Sequence, residues 1–202
     1  MVNIKITESD RSFQSKVNKA LSTEINASLM GMASKIENQV RPIIEGALLA
    51  SPEIASLSNG VLKAEFGLTF DPTSQLVSAI ASSIDVNVNK LDSNMKGGGV
   101  TLTVQPTDYS NLLSLSIAEQ DIEGGSTIPW LDWLLTLGDS IVIASFGVEF
   151  GNHGRTGLAR MAEGFAPYKV NSAFSGTRDD NFITRAVARV LPEIKQVIVR
   201  AI

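Results

Sequence analysis

His153 is the only histidine of the chain and cysteine is absent, so two residue types that commonly carry metal and nucleophile chemistry are nearly missing. Paired-histidine and thiolate metal sites, disulfides and a cysteine nucleophile are excluded, and a Ser–His–Asp triad has one candidate base. His153 lies in the glycine-rich stretch GNHGRTG, Gly151 to Gly157, and no nucleophile elbow is recognisable, which reads as an ordinary exposed turn histidine. The run Gly97, Gly98, Gly99 is of the glycine-rich kind found in phosphate cradles, but a P-loop needs Lys and then Ser or Thr, and here Val100 follows. GNHGRTG carries Arg155 and Thr156 but no lysine at the required place.

Carboxylates come in two close pairs, Asp121 with Glu123 and Asp179 with Asp180. Such pairs can hold a divalent cation or share acid and base roles, but neither has a third and fourth oxygen ligand at loop spacing. No catalytic residue, metal ligand or cofactor follows from these patterns. A small-ligand-binding protein or hydrolase-like enzyme with Asp121 or Asp132 in a cleft stays open as an alternative.

Other residues suit surfaces better than reactions. Trp130 and Trp133 are three apart, near one face of a helix, a geometry for core packing or for a hot spot between subunits. Arg178, Arg185, Arg189, Lys195 and Arg200 make the C-terminal stretch basic, either a solvated face or a surface for DNA in a channel. Trp130, Trp133, Arg155, Arg185 and Arg189 are the interface candidates.

The charge is unevenly spread. Net charge is −4; residues 97–154 carry no basic and 7 acidic groups, whereas residues 155–202 carry 8 basic and 4 acidic ones. A mildly acidic total argues against a general nucleic-acid binder. An acidic middle and a basic end either face water on one molecule or face each other across copies in a head-to-tail ring.

These residues need elements to hold them. Phe13, Val17, Leu21, Ile25, Leu29, Met32, Ile36, Val40 and Ile43 recur every three or four positions, predicting a long helix over the first 50 residues, capped by Ser9 or Asp10. Pro42 lies inside it and predicts a kink or break near Val40. The serine-rich stretch 50–60 reads as a loop, Val61 to Phe66 as a short helix, and Gln75 to Ser82 as helix or strand. Ile84, Val86 and Val88, then Val100, Leu102 and Val104, alternate with polar residues, predicting a hairpin around a flexible loop from Asp92 to Gly99. Tyr109 to Glu119 reads as a helix, 123–126 as a polar loop, and Trp130 to Leu137 as an apolar helix with Pro129 in its first turn.

A second hairpin is expected from Ala144, Phe146, Val148 and Phe150 on one strand face, the GNHGRTG turn, and Leu158 to Glu163 returning. Tyr168 and Phe174 are expected to anchor the loop after it, and a helix is expected from about Asp179 to the end. The expected fold is α+β, one domain over 1–202: a four-stranded, mainly antiparallel sheet of two hairpins, with the N- and C-terminal helices on one face. The apolar region Ile128 to Phe150 is broken by Asp132, Asp139 and Glu149 and is not a membrane span. Met1 to Thr7 alternates apolar and polar residues and lacks the apolar run of a signal peptide.

The segments IPWLDWLL (Ile128 to Leu135), RTGLARM (Arg155 to Met161) and FSGTRDDNFITRA (Phe174 to Ala186) resemble neck and tail-completion proteins of long-tailed bacteriophages. A weaker likeness covers SPEIASLSNGVLKAEFGL, Ser51 to Leu68. The resemblance implies a non-enzymatic virion structural protein assembled in the host cytoplasm, in a tail-terminator-like ring, commonly a hexamer, at the head-to-tail neck or tail end. Its implied partners are copies of itself and adjacent tail tube, sheath or connector proteins, with DNA passing in the channel and no membrane.

Overall fold

The computed structural model describes residues 8–122 and 126–201. Helix α1 (Asp10–Leu49) starts at the Ser9 cap, whose Oγ accepts the Ser12 N–H at 3.3 Å. Ile36, Val40, Ile44 and Leu48 recur every fourth residue, fully buried, and make the C-terminal half of α1 the spine of the core. The helix runs through Pro42 without the expected break. Pro42 and Asn38, whose carbonyl loses its helical partner, both lie on the solvent side, where water replaces the missing bond.

Residues 50–60 are not a loop. Helix α2 (Pro52–Asn59) forms there because Ser51 caps it, Pro52 takes its first position and Glu53 sits in its positive first turn. Helix α3 (Val61–Glu65) follows directly, and α4 (Thr73–Ser82) settles the ambiguous stretch as helix. The Asp71 carboxylate holds the start of α4 by accepting the Thr73 N–H at 2.9 Å.

Strands β1 (Asp85–Leu91) and β2 (Gly97–Thr103) form the first hairpin, with Val86 opposite Leu102 and Val88 opposite Val100. Gly97, Gly98 and Gly99 lie in β2, not in the loop expected for them. The turn is shorter because the Asp92 carboxylate accepts the N–H groups of Asn94 and Lys96, each at 2.8 Å. The Asn26 side chain on α1 acts as a strand partner for Leu91, accepting its N–H at 2.8 Å and donating to its carbonyl at 3.0 Å.

The helix expected over 109–119 is a short α5 (Ser110–Leu113) followed by a 3-10 turn (Ser116–Ala118). An unexpected small hairpin follows, β3 (Gln120–Ile122) with β4 (Ser126–Ile128); the expected polar loop at 123–126 falls largely outside the described residues. Helix α6 (Trp130–Thr136) has Pro129 one position before its first turn. Strands β5 (Phe146–Phe150) and β6 (Ala159–Glu163) pair as expected from Phe146 opposite Glu163 to Phe150 opposite Ala159. Tyr168 is buried and bridges to Ile143, and Phe174 packs against the core, so both act as anchors.

The last helix, α7 (Phe182–Ala201), begins three residues later than Asp179. Its start is set by the fully buried Asn181, whose Oδ1 accepts the N–H groups of Ile183 at 3.1 Å and Thr184 at 3.3 Å. The Thr184 hydroxyl accepts the Asn181 N–H at 2.9 Å, closing a reciprocal cap. Asn181 Nδ2 also donates to the Tyr109 hydroxyl at 2.8 Å, tying the cap to the segment before α5.

The fold is α+β, but among the described residues the expected four-stranded sheet does not form: the strands make three separate two-stranded antiparallel sheets. The first hairpin lies along α1, the last touches α3, and α7 packs along α1. The first and last hairpins therefore lie against helices rather than joining in one sheet, and one apolar cluster runs from Ile36 on α1 to Ile194 on α7.

Candidate assembly surface

The two halves of α1 have opposite surroundings. Phe13, Val17 and Leu21 stand four residues apart on one stripe that continues through half-buried Ile25 to buried Leu29. Phe13 is 63% exposed and Leu21 47%, so the stripe starts bare and ends in the core. Such a contiguous apolar face, exposed on a helix that stands away from the core, is a candidate contact surface. The spacing of these residues made their periodicity legible but not, by itself, their bareness.

A second apolar feature is the open groove of about 580 Å³ between β2 and α7. Leu102, Thr103 and Val104 form one wall, and Ile183, Val187 and Leu191 form the other.

The five sequence-predicted interface residues do not form one patch. Trp130 is fully buried, donates its indole N–H to the Ile117 carbonyl at 2.8 Å and packs against Phe66 with ring centres 5.8 Å apart; it is core. Trp133 is half-buried and faces Tyr168 at 6.0 Å. Arg155 is exposed but its guanidinium is taken, donating to the carbonyls of Gly67, at 2.8 Å, and Asp121. It clamps the turn between β5 and β6 onto the segments after α3 and within β3.

Arg185 is likewise taken. It donates to Glu53 at 2.8 Å and to Asp180 at 3.0 Å, and the Glu53 side chain is only 4% exposed. Burial alone pulls the Arg185 guanidinium down, but the hydrogen bonds and charges of Glu53 and Asp180 hold it above its ordinary pKa. Arg189 is exposed and, among the described residues, its side chain hydrogen-bonds only the Arg185 carbonyl, at 3.4 Å. On a helix, Glu193 falls on the same side as Arg189 and Arg200, which breaks up the basic face there.

Phe146 and Phe150 share a strand face with half-buried Val148, as expected, and are 41% and 54% exposed. The segments that carried the phage resemblance touch one another. Arg155 in RTGLARM holds Gly67 in the Ser51 to Leu68 segment, and Arg185 in FSGTRDDNFITRA holds Glu53 in that same segment. His153 sits in the turn between β5 and β6, but it is half-buried rather than exposed as expected, because its ring folds back with Nε2 at 3.2 Å from the Glu149 carbonyl.

Among the described residues no three His, Asp or Glu side chains gather to hold a metal ion, and no helix is long and apolar enough to cross a membrane. The Asp132 carboxylate accepts from the Thr136 hydroxyl at 2.7 Å, within its own helix, and Asp121 is exposed. Of the Asp121 and Glu123 pair, Glu123 lies outside the described residues.

One acid stands in an unusual place. Glu65, at the end of α3, lines a cleft of about 260 Å³ with Val148, Arg155, Arg160 and Met161, and its Oε2 has no hydrogen-bond partner. Burial pushes its pKa up to about 7, with the amides of Asn171 only partly opposing. The folded protein thus holds this proton more tightly than the unfolded chain does. The resulting stability is complete below pH 4.5 and is lost as pH rises through about 7. Solvent reaches part of the side chain, so the loss is set at about 1–2 kcal/mol. Glu65→Gln is expected to match the parent at pH 5 and exceed it by about that amount at pH 8, read from urea denaturation midpoints; an unchanged difference between the two pH values would rule this out.

Compared with known proteins, the chain matches no family model, no curated protein and no solved structure.

Proposed function

We propose that this chain is a structural building block that joins copies of itself in a ring at the head-to-tail neck or tail end of a tailed-bacteriophage virion. The observation that carries the assembly part is the bare stripe of Phe13, Val17 and Leu21 on the N-terminal half of α1. Exposed apolar side chains in a row disfavour an isolated chain in water, and covering them with another chain removes that cost. The phage part rests on the resemblance of the four segments named above, two contacts between which fasten the fold together. In this reading binding geometry is the whole task, and no side chain has a catalytic role.

The assignment predicts a ring. Mass photometry of the purified chain across a concentration series is expected to show discrete higher species, with electron microscopy of the parent particle placing the chain at the neck or tail. A monomer at every concentration that also binds no tail or connector protein would overturn the proposal.

A further inference from the structure

We propose that the groove between α7 and residues 102–107 receives the N-terminal half of α1 from a second copy of this chain, laid parallel to α7 with Phe13, Val17 and Leu21 seated between the walls. The inference rests on the self-assembly reading and says which parts of two copies meet.

The two surfaces share one spacing. Phe13, Val17 and Leu21 stand four residues apart and exposed, a bare ridge about 12 Å long. On the helical wall of the groove Ile183, Val187 and Leu191 also stand four residues apart, over the same length of about 12 Å. Ridges of equal i, i+4 spacing interlock where helices meet, and an amphipathic helix lying in an apolar groove is anchored by side chains at such intervals. Leu102, Val104 and Pro106 belong to the facing wall, and between the walls lie about 580 Å³. That is within the range of about 300–1,000 Å³ that encloses a drug-sized ligand, so three apolar side chains have room. Val187 is half-buried and Leu191 exposed, apolar surface that the single chain leaves uncovered.

Charge sets the direction. Asp10 precedes Phe13 by three residues and Glu24 follows Leu21 by three, so two exposed acids flank the stripe on its own side of the helix. At one end of the groove exposed Lys195 follows Leu191 by four residues; at the other Arg178 lies beside Asp179, with Asp108 nearby. Among the described residues none of Asp10, Glu24, Arg178 and Lys195 makes a salt bridge. Laid parallel to α7, the stripe brings Glu24 to Lys195 and Asp10 to Arg178, while the positive N-terminal end of α1 faces Asp179 and Asp108. The opposite direction would set that positive end against Lys195.

Reach assigns the stripe to another copy. Asn26 of α1 is bonded to Leu91 at the far end of β1, and Val17 lies about 14 Å further out along the same unbroken helix. Leu102, opposite the buried Val86, lies about 17 Å from Leu91 in the other direction, toward the core. Stripe and groove of one chain are therefore about 30 Å apart on rigid elements, a gap that a neighbour does not face. The contact joins two different surfaces, so each chain gives one stripe and receives another, the arrangement that closes into a ring when the rotation between copies permits.

The chain has no cysteine, so engineered disulfides can report the contact directly. Val17→Cys mixed with a tag-lengthened Val187→Cys chain, and Leu21→Cys mixed with a tag-lengthened Leu191→Cys chain, are oxidised mildly and the mixed covalent dimer is measured. At least one pairing is expected to exceed, by at least about fivefold, the yield of Leu21→Cys with Val199→Cys, an exposed position on another side of α7. A higher yield from Phe13→Cys with Leu191→Cys than from Leu21→Cys with Leu191→Cys would reverse the direction and overturn the proposal. So would an intrachain disulfide in the dilute Val17→Cys, Val187→Cys double variant, which would give the groove to the chain's own helix. Assembly of the parent with neither pairing above the Val199→Cys control would overturn it while leaving the ring reading standing, and a parent that stays monomeric would sink both.

Discussion

Arg185→Ala is expected to lower the unfolding free energy by about 2–4 kcal/mol, because it strands the buried Glu53 carboxylate without its cation. The guanidinium joins α7 to α2, elements far apart in sequence, so its loss also loosens the seat of the C-terminal helix against the core. The figure sits below that for a fully buried pair because a third of the Arg185 side chain, 36%, meets solvent. Adding Glu53→Gln to Arg185→Ala is expected to return roughly 1–2 kcal/mol, since a buried neutral amide costs less than a buried unpaired charge. Arg189→Ala, at an exposed position with no carboxylate partner among the described residues, is expected to leave the denaturation curve in place. Urea titrations of the three variants test this ordering, and an Arg185→Ala curve that overlays the parent would show that the ion pair holds nothing together. The same ordering bears on DNA: a surface that used this helix would draw on Arg189 and Arg200, since Arg185 is committed inside the molecule.

What was legible in the sequence was local. The stripe of α1, the alternation of Val86, Val88, Val100 and Leu102, and the pairing of β5 with β6 each follow from spacing within a few residues, and each formed. How the hairpins relate to one another was not legible, because alternation fixes which face of a strand is apolar and says nothing about which edges meet. Hence the expected four-stranded sheet gave way to three small ones. Ser51, Pro52 and Glu53 read as loop residues by composition, though as an ordered triplet they are a helix start. Gly97 to Gly99 read as a loop although Asp92 had already closed the turn upstream. At the candidate surface, Trp130 and Arg185 looked like contact residues by type, but burial and an intramolecular partner decide a residue's use, and neither is written in its identity. The bare stripe did leave one signal. A helix of 40 residues is about 60 Å long, whereas a compact chain of this length has a radius of gyration of only about 16–17 Å, so part of α1 had to stand clear of the core.

That standing-clear segment carries the largest expected effect on assembly. Phe13→Asp with Leu21→Asp places two charges on the face that a neighbour would cover and removes two large apolar side chains from it. Covering each is worth about 1.5–3 kcal/mol if burial is complete, and a charge left in the contact opposes it further, so association is expected to weaken at least 100-fold. Both residues are exposed in the single chain, 63% and 47%, so the melting temperature of the monomer is expected to stay where it was. That separation distinguishes a contact surface from a mere part of the fold: mass photometry reads the first quantity and thermal unfolding of dilute protein the second. The opposite pattern, an unfolded or strongly destabilised monomer, would mean that the stripe is covered within its own chain. A fall in neither quantity would mean that copies meet through another face, with the exposed Phe146 and Phe150 of β5 the next place to introduce the same charges.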